Sequence, residues 1–148
     1  MFPVFRFDPP RAVLDTNVVL DWLVFGNPAV LPIAQALESG RLQWVATVAM
    51  RDELAEVLRR GLPRQPQVDL DRVWLTWSAC AHIKDDPPAP GLDAPLRCTD
   101  RDDQKFIDFA LHGADWLLTR DRAVLRLSRR ARPRGLQILT PEAWSALQ

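Results

Sequence analysis

The sequence predicts an α/β domain built around a central parallel sheet. Short apolar segments of strand length alternate along the chain with longer segments whose apolar residues recur at helical spacing. Such an alternation favours a parallel sheet with helices packed on both of its faces. The chain has 148 residues, of which 47% are hydrophobic and 26% charged, so it is long enough to bury one core without disulfides or structural metals.

The bounds of the predicted elements follow from apolar spacing and from capping residues. Asn17 and Thr47 are favourable helix N-caps, and Gly40 and Gly113 are natural helix ends. We predict strands at 12–15, 41–46, near Ile83, at 116–118 and at 136–139, and helices at 17–24, 29–39, 47–60, 69–81, 100–112, 121–129 and from Thr140 onward.

Prolines mark the irregular segments. The first ten residues contain three prolines and three phenylalanines, a composition typical of an extended arm. We therefore expect an arm at residues 1–10 and the folded domain at residues 11–148. Residues 61–67 are a linker by composition, and the prolines of residues 85–91 exclude a regular element there.

Charge and cysteine content exclude several classes of protein. The formal net charge is zero, so the chain lacks the overall basic field of a non-specific nucleic-acid binder, and any polyanion must bind a local patch. Cys80 and Cys98 are too few for a disulfide framework or a zinc site. No apolar run has the length of a membrane span, and we expect a cytoplasmic protein.

Asp15 is the first candidate site residue. It follows the apolar residues 12–14 at the end of the first predicted strand, and the carboxyl ends of strands are where α/β sheets place their ligand sites. Helix capping by Asp15 or Asn17 explains the same pattern equally well when these residues are considered alone.

Two further carboxylates lie on or beside the apolar faces of predicted helices. Glu53 comes three residues after Met50 and four before Val57, which places it at the edge of the buried face. Asp103 precedes Phe106 by three residues and continues the apolar stripe of its helix backward. Acidic residues also favour the first turn of any helix, which is the alternative explanation for Asp103.

Asp121 is the fourth candidate. It comes just after the predicted strand 116–118 and stands at a helix N-cap position, where capping is again a sufficient explanation. We interpret Asp100, Asp102 and Asp108 differently, as solvated residues or as residues that compensate the helix dipole.

The four candidate carboxylates share one expected location. Strand ends and neighbouring helix starts in a parallel sheet meet at the same edge, where clustered carboxylates repel one another unless a cation neutralises them. Mg²⁺ or Mn²⁺ accepts such oxygen ligands, lowers the pKa of a bound water and polarises a phosphoryl oxygen. The implied chemistry is hydrolysis of a phosphodiester. His82 and His112 are isolated, so no histidine-based site competes.

These motifs resemble the PIN domain family, most closely the VapC-like ribonuclease toxins of toxin–antitoxin pairs. The resemblance covers roughly residues 11–142 and rests on residues 13–18, 51–58, 100–110 and 113–121. It implies a three-layer α/β/α domain and a metal-dependent endoribonuclease that uses Mg²⁺ or Mn²⁺. Its implied catalytic and metal-binding acids are Asp15, Glu53, Asp103 and Asp121.

The resemblance also implies supporting residues and partners. Asn17 and Thr119 would support the site, Thr119 through a hydrogen bond to an acid or a bound water. We expect Asp15, Asp103 and Asp121 to hold one or two ions and Glu53 to position or deprotonate the attacking water. An RNA substrate, a small antitoxin protein and a homodimer are the implied partners.

A basic segment offers contacts for an RNA backbone. Arg120 and Arg122 flank Asp121 and begin the densest run of arginines in the chain, which extends to Arg134. We expect Arg120 and Arg122 to bind phosphates, whereas the other arginines suit a solvated helix face equally well. Trp22 is open to a base contact or a dimer interface, with packing in the core as the alternative.

There are three alternatives to the nuclease function. A receiver-like signalling domain needs a lysine after a late strand, but Lys105 lies within a predicted helix. A phosphatase with two aspartates after the first strand needs an acid where Asn17 stands. The third alternative is a catalytically silent PIN-like domain that binds RNA or protein, although all four acids are present.

Overall fold

The computed structural model describes residues 5–63, 67–87 and 96–148. Within them, five strands alternate with eight α-helices. The strands are β1 (Arg11–Leu14), β2 (Gln43–Ala46), β3 (Ala81–Ile83), β4 (Trp116–Leu118) and β5 (Gln137–Leu139). The helices are α1 (Thr16–Leu23), α2 (Leu31–Glu38), α3 (Val48–Arg60), α4 (Leu70–Cys80), α5 (Gln104–Gly113), α6 (Arg122–Leu125), α7 (Ser128–Ala131) and α8 (Pro141–Ala146).

All five strands form one parallel sheet in the order β3-β2-β1-β4-β5. The helices that connect them give the three-layer α/β/α arrangement expected from the sequence. β1 occupies the centre of the sheet, with Leu14 in register with Leu118 of β4. The carboxyl ends of β1 and β4 therefore lie side by side.

The core is made by strands that are buried on both faces. Val13 of β1 and Leu117 of β4 are fully buried, as expected for parallel strands covered by helices. A row of indole rings adds to this core, with ring centroids 5.8 Å apart for Trp22 and Trp44 and 4.8 Å apart for Trp44 and Trp77. Trp22 is thus packed inside the protein rather than available to a base.

Several predicted bounds change in the structure. Helix α1 begins at Thr16, and its N-cap is Asp15 rather than Asn17, because the Asp15 carboxylate accepts the Thr16 backbone N–H. The helix predicted at 121–129 is two four-residue helices, α6 and α7, followed by a 3-10 turn at Arg132–Arg134. A second 3-10 turn, Arg101–Asp103, precedes α5, so Asp103 lies just before that helix.

The remaining sequence predictions concern termini and loops. Residues 1–4 of the expected arm, 64–66 of the expected linker and 88–91 of the proline loop lie outside the described residues. In the described part of the chain, no single helix is long and apolar enough to cross a membrane. The helical segments Thr16–Leu23 and Pro28–Glu38 are long and apolar enough only when they are taken together, and they meet at a bend of 108°.

Residues 5–10 lie against the amino edge of the sheet. The buried carboxylate of Asp115 accepts the backbone N–H of Arg6 at 2.6 Å and that of Arg11 at 3.0 Å. The Arg6 guanidinium donates to the carbonyls of Ala110, Leu111 and Ala114 at the end of α5. These contacts satisfy helix-terminal carbonyls with a cation.

We predict that Arg6→Met destabilises the protein by about 1–2 kcal/mol, because the carbonyls at the end of α5 lose a charged donor. Urea unfolding followed by circular dichroism would measure this change. Arg41→Met is the matched control, since the Arg41 side chain is exposed and donates to the Ser39 hydroxyl rather than to helix-terminal carbonyls. Equal stability of the two variants would contradict a structural role for Arg6.

Candidate active site

The carboxyl edge of β1 and β4 carries a chain of hydrogen bonds. Asp15 follows β1, and its backbone N–H donates to the carbonyl of Leu118 at 2.9 Å. The fully buried Thr119, directly after β4, donates its hydroxyl to Oδ2 of Asp15 at 2.7 Å. The same hydroxyl accepts the backbone N–H of Asp121 at 3.0 Å. Thr119 therefore fixes both acids with respect to the sheet.

Three carboxylates converge next to this chain. One oxygen from each of Asp100, Asp103 and Asp121 lies within 4.8 Å of the other two. Asp121 caps α6 through the Ala123 N–H at 2.8 Å, and Asp100 caps its 3-10 turn through the Asp102 N–H at 2.9 Å. Both acids are thus held in place by local backbone contacts, as well as facing Asp103.

Asp103 is the member of this cluster whose ionisation is most strongly disfavoured. Its Oδ2 atom is buried and has no hydrogen-bond partner among the described residues. Burial raises the pKa of Asp103 to about 7, and repulsion from Asp15 and the close carboxyl of Asp121 add to the effect. A buried polar atom without a partner is costly, so this site is suited to a ligand that supplies positive charge.

Asp15 belongs to the same electrostatic group. Burial raises the pKa of Asp15, although the hydrogen bonds from the Thr119 hydroxyl and the Thr16 N–H oppose that rise. Repulsion from Glu53 and Asp121 also raises it. Asp15 therefore interacts electrostatically with each of the other three predicted acids, Glu53, Asp103 and Asp121, and Asp100 acts on Asp103.

Glu53 differs from the other acids of the site because, among the described residues, it alone of them forms an ion pair with a cation. Oε1 lies 2.7 Å from Nζ of Lys105, and Oε2 accepts the hydroxyl of Thr16. Lys105 also donates to the carbonyl of Asp102 at 2.8 Å. The Glu53 charge is thus compensated from within the chain.

The two arginines beside Asp121 have different surroundings. The backbone N–H of Arg120 donates to Oδ1 of Asn17 at 3.3 Å, and its guanidinium pairs with Asp21 and, at 2.7 Å, with Glu142. Arg120 is therefore held by two carboxylates rather than directed to solvent. Arg122 is exposed and has no ion pair among residues 5–63, 67–87 and 96–148.

Sequence reasoning misses two members of the site. The sequence alone favours a solvated Asp100, but the spacing Asp100-x-x-Asp103 across one tight turn is a signal that both can face the same side. Lys105 offers no such signal, because its partner Glu53 is 52 residues away in sequence. Only the tertiary fold, which brings the first turn of α5 within reach of Glu53 on α3, forms that pair.

The residues present fit a hard divalent cation. Asp100, Asp103 and Asp121 offer clustered carboxylate oxygens, Asp15 adds charge beside them, and Oδ2 of Asp103 has no partner in the described protein. Carboxylate oxygens without soft ligands favour Mg²⁺ or Mn²⁺ over zinc. Such an ion would offset the burial and the repulsion that raise the pKa values of Asp15 and Asp103.

We predict that the contribution of Asp103 to the stability of the metal-free protein becomes less favourable as the pH rises from about 4 to about 7. The pKa of Asp103 rises from an ordinary value of 3.8 to about 7 on folding, so in this range the folded state binds a proton that the unfolded state has released. Raising the pH removes that proton at a cost in free energy.

The test of this pH dependence is a measurement of the free energy of unfolding in EDTA from pH 4 to pH 8, for the wild type and for Asp103→Asn. The difference between the two proteins should shift in favour of the variant as the pH rises from about 4 to about 7 and should level off above that pH, because an asparagine side chain cannot ionise. Parallel pH profiles would show that Asp103 titrates normally.

The chain is similar to one known protein family over most of its length. No curated protein matches the chain. The family model described as "PIN domain" matches residues 11–123, a segment that contains β1 to β4, Asp15, Glu53 and the three clustered acids Asp100, Asp103 and Asp121. With this match over most of its length, and with a parallel α/β/α fold that gathers acids at one edge, the chain belongs to the PIN domain family.

Proposed function

We propose that this protein is a metal-dependent endoribonuclease that hydrolyses RNA phosphodiester bonds. PIN domains are generally nucleases, and the acids of this chain are retained and gathered. The observation that carries the proposal is Asp103, which belongs to a cluster of three carboxylates and whose buried Oδ2 atom has no partner among the described residues; its pKa is raised to about 7. A structural cap has no need of such an arrangement.

The residues of the site have different roles in the proposed reaction. Asp15, Asp103 and Asp121, with Asp100, would hold Mg²⁺ or Mn²⁺, which supplies Lewis acidity and an acidified water when bound. Thr119 orients Asp15 through its hydroxyl, and Asn17 holds the backbone before Asp121 through the Arg120 N–H.

Glu53 has the second role in the proposed mechanism. Its two oxygens are oriented by Lys105 and by the Thr16 hydroxyl, and each oxygen keeps a lone pair for a further contact. A carboxylate held in this way can position a water molecule and accept its proton. We therefore assign water positioning to Glu53.

RNA binding is supported by a surface that we call the arginine ridge. It comprises the exposed arginines of α6, α7 and the following 3-10 turn, namely Arg122, Arg126, Arg129, Arg130, Arg132 and Arg134. None of them has an ion pair among the described residues, and residues 122–141 include no acid. The ridge starts beside Asp121, so it would hold phosphates next to the scissile bond.

The finer proposal is that the protein is the toxin of a toxin–antitoxin pair. The resemblance of its motifs to VapC-like toxins supports this role and, with it, a small antitoxin and a homodimer as partners. Exposed apolar side chains at Phe25, Leu31 and Leu147 are available for such contacts. The alternative is a catalytically silent domain that binds RNA or protein, and the retained acids favour the enzyme.

We predict that the purified protein cleaves a mixed structured RNA in Mg²⁺ or Mn²⁺ but not in EDTA. Asp15→Asn should lower the cleavage rate by about 100-fold or more. The metal-free variant should unfold at an equal or higher temperature than wild type, because a charge that repels Glu53 and Asp121 is removed.

Asp52→Asn is the matched control for this experiment, since Asp52 is exposed on the same helix as Glu53. It should keep full activity. RNA binding by the wild type without any metal-dependent cleavage would instead support the catalytically silent alternative.

We predict that the arginine ridge contributes to the salt dependence of RNA binding. In an Asp15→Asn background, which leaves RNA intact, Arg122→Gln with Arg126→Gln should reduce the slope of log affinity against log salt by about 1.4, or about 0.7 per lost phosphate contact on single-stranded RNA. Fluorescence anisotropy with a labelled oligonucleotide would measure the slope. Arg59→Gln with Arg60→Gln is the control, because those arginines already pair with Glu56, and equal slopes for both double variants would exclude the ridge.

A further inference from the structure

Lys105 is placed between two helices as a positive charge within the acidic site. Its Nζ lies 2.7 Å from Oε1 of Glu53 on α3, and it donates to the carbonyl of Asp102 at 2.8 Å. The side chains of Lys105 and Glu53 are 33% and 24% exposed, so the pair is largely shielded from solvent. The hydroxyl of Thr16 satisfies the other oxygen of Glu53.

The acids of the site therefore fall into two groups. Glu53 has a donor on each oxygen, one of them a full positive charge. Asp103, by contrast, has a buried oxygen with no partner in the described chain, and its neighbours Asp15, Asp100 and Asp121 only add negative charge. The uncompensated charge lies on the aspartate side of the site alone.

We propose that Lys105 takes the place of a second metal ion, so that the site binds one divalent cation. This inference rests on the proposed metal-dependent function. In two-metal sites the ions lie about 3.5–4 Å apart and share carboxylates. An ion that bound Glu53 at the usual distance of about 2.1 Å would lie close to the Lys105 ammonium, which already contacts that carboxylate.

Coulomb repulsion makes that second position unfavourable. A divalent ion and an ammonium a few ångströms apart repel strongly in a partly shielded site, where the effective dielectric constant is about 20. The aspartate side has no such competing cation among the described residues. The single ion is thus confined to Asp103, Asp121 and their neighbours, and Glu53 remains free to orient water.

A role limited to joining α3 to α5 is the alternative for Lys105. Partly exposed ion pairs contribute little to stability, and such a role would affect unfolding but not the number of bound ions. Metal stoichiometry therefore separates the two roles. It also requires no enzymatic activity.

The experiment is calorimetric titration of the full metal-free chain with Mn²⁺, with dialysis and elemental analysis as a second count. Wild type should bind one ion per chain and Lys105→Gln should bind two. Lys84→Gln should bind one, and it is a close control because Lys84 is the other lysine of the chain and is exposed. Lys105→Arg, which keeps the charge, should also bind one.

A double variant protects the test against misfolding of Lys105→Gln. Glu53→Gln with Lys105→Gln removes both charges of the pair and should still bind one ion, with an affinity within about threefold of wild type. A loss of affinity of tenfold or more in the double variant would overturn the proposal, because Glu53 would then be a ligand. Two ions in wild type, or one ion in a folded Lys105→Gln, would also overturn it. No ion in wild type would instead contradict the proposed metal-dependent function itself.

Discussion

The pairing of β1 with β4 is the constraint on which the site depends. Because Leu14 and Leu118 are in register, the residues that follow them meet at one edge, and the Thr119 hydroxyl can bridge Asp15 and the backbone of Asp121. Helix α5 packs on the same two strands and carries Asp103 at its start. Parallel strand order thus converts acids from distant parts of the sequence into one electrostatic unit.

This unit opposes folding when no cation is bound. Burial and mutual repulsion raise the pKa values of Asp15 and Asp103, so their ionisation costs folding free energy near neutral pH. The scaffold offsets this cost elsewhere, through fully buried strands and the row of tryptophan rings. At the opposite edge, Asp115 and Arg6 tie residues 5–10 to the end of α5. These stabilising contacts of Asp115 and Arg6 therefore lie at the amino edge of the sheet, whereas the candidate site lies at its carboxyl edge.

Sequence patterns predicted the fold well where a local rule determines the structure. Apolar runs identified the five strands of the described chain. Strand-end and helix-stripe positions selected Asp15, Glu53, Asp103 and Asp121 as candidates, and in the structure Asp15 interacts electrostatically with each of the other three. Capping propensity could not decide between Asp15 and Asn17, because both residue types accept backbone N–H groups and the helix start differs by one residue.

Contacts between elements that are distant in sequence could not be predicted from apolar spacing or from capping propensity. The Lys105–Glu53 pair depends on where the fold places the start of α5 relative to α3. The Arg120 contacts with Asp21 and Glu142 depend on how α1 and α8 approach the end of β4. Both cases involve long side chains whose direction is set by tertiary packing. Apolar periodicity carries no information about the partners such side chains choose.

The final strand has a consequence for where the functional domain ends. The family match stops at residue 123, yet β5 at Gln137–Leu139 supplies the carbonyl of Leu139 that accepts the Thr119 N–H at 3.0 Å. A fragment cut at residue 123 would keep every clustered acid while leaving β4 as an open edge strand. Thr119, which joins Asp15 to Asp121, would lose the partner of its backbone N–H. The segment that matches the family model is therefore shorter than the segment needed to keep the acids in this arrangement.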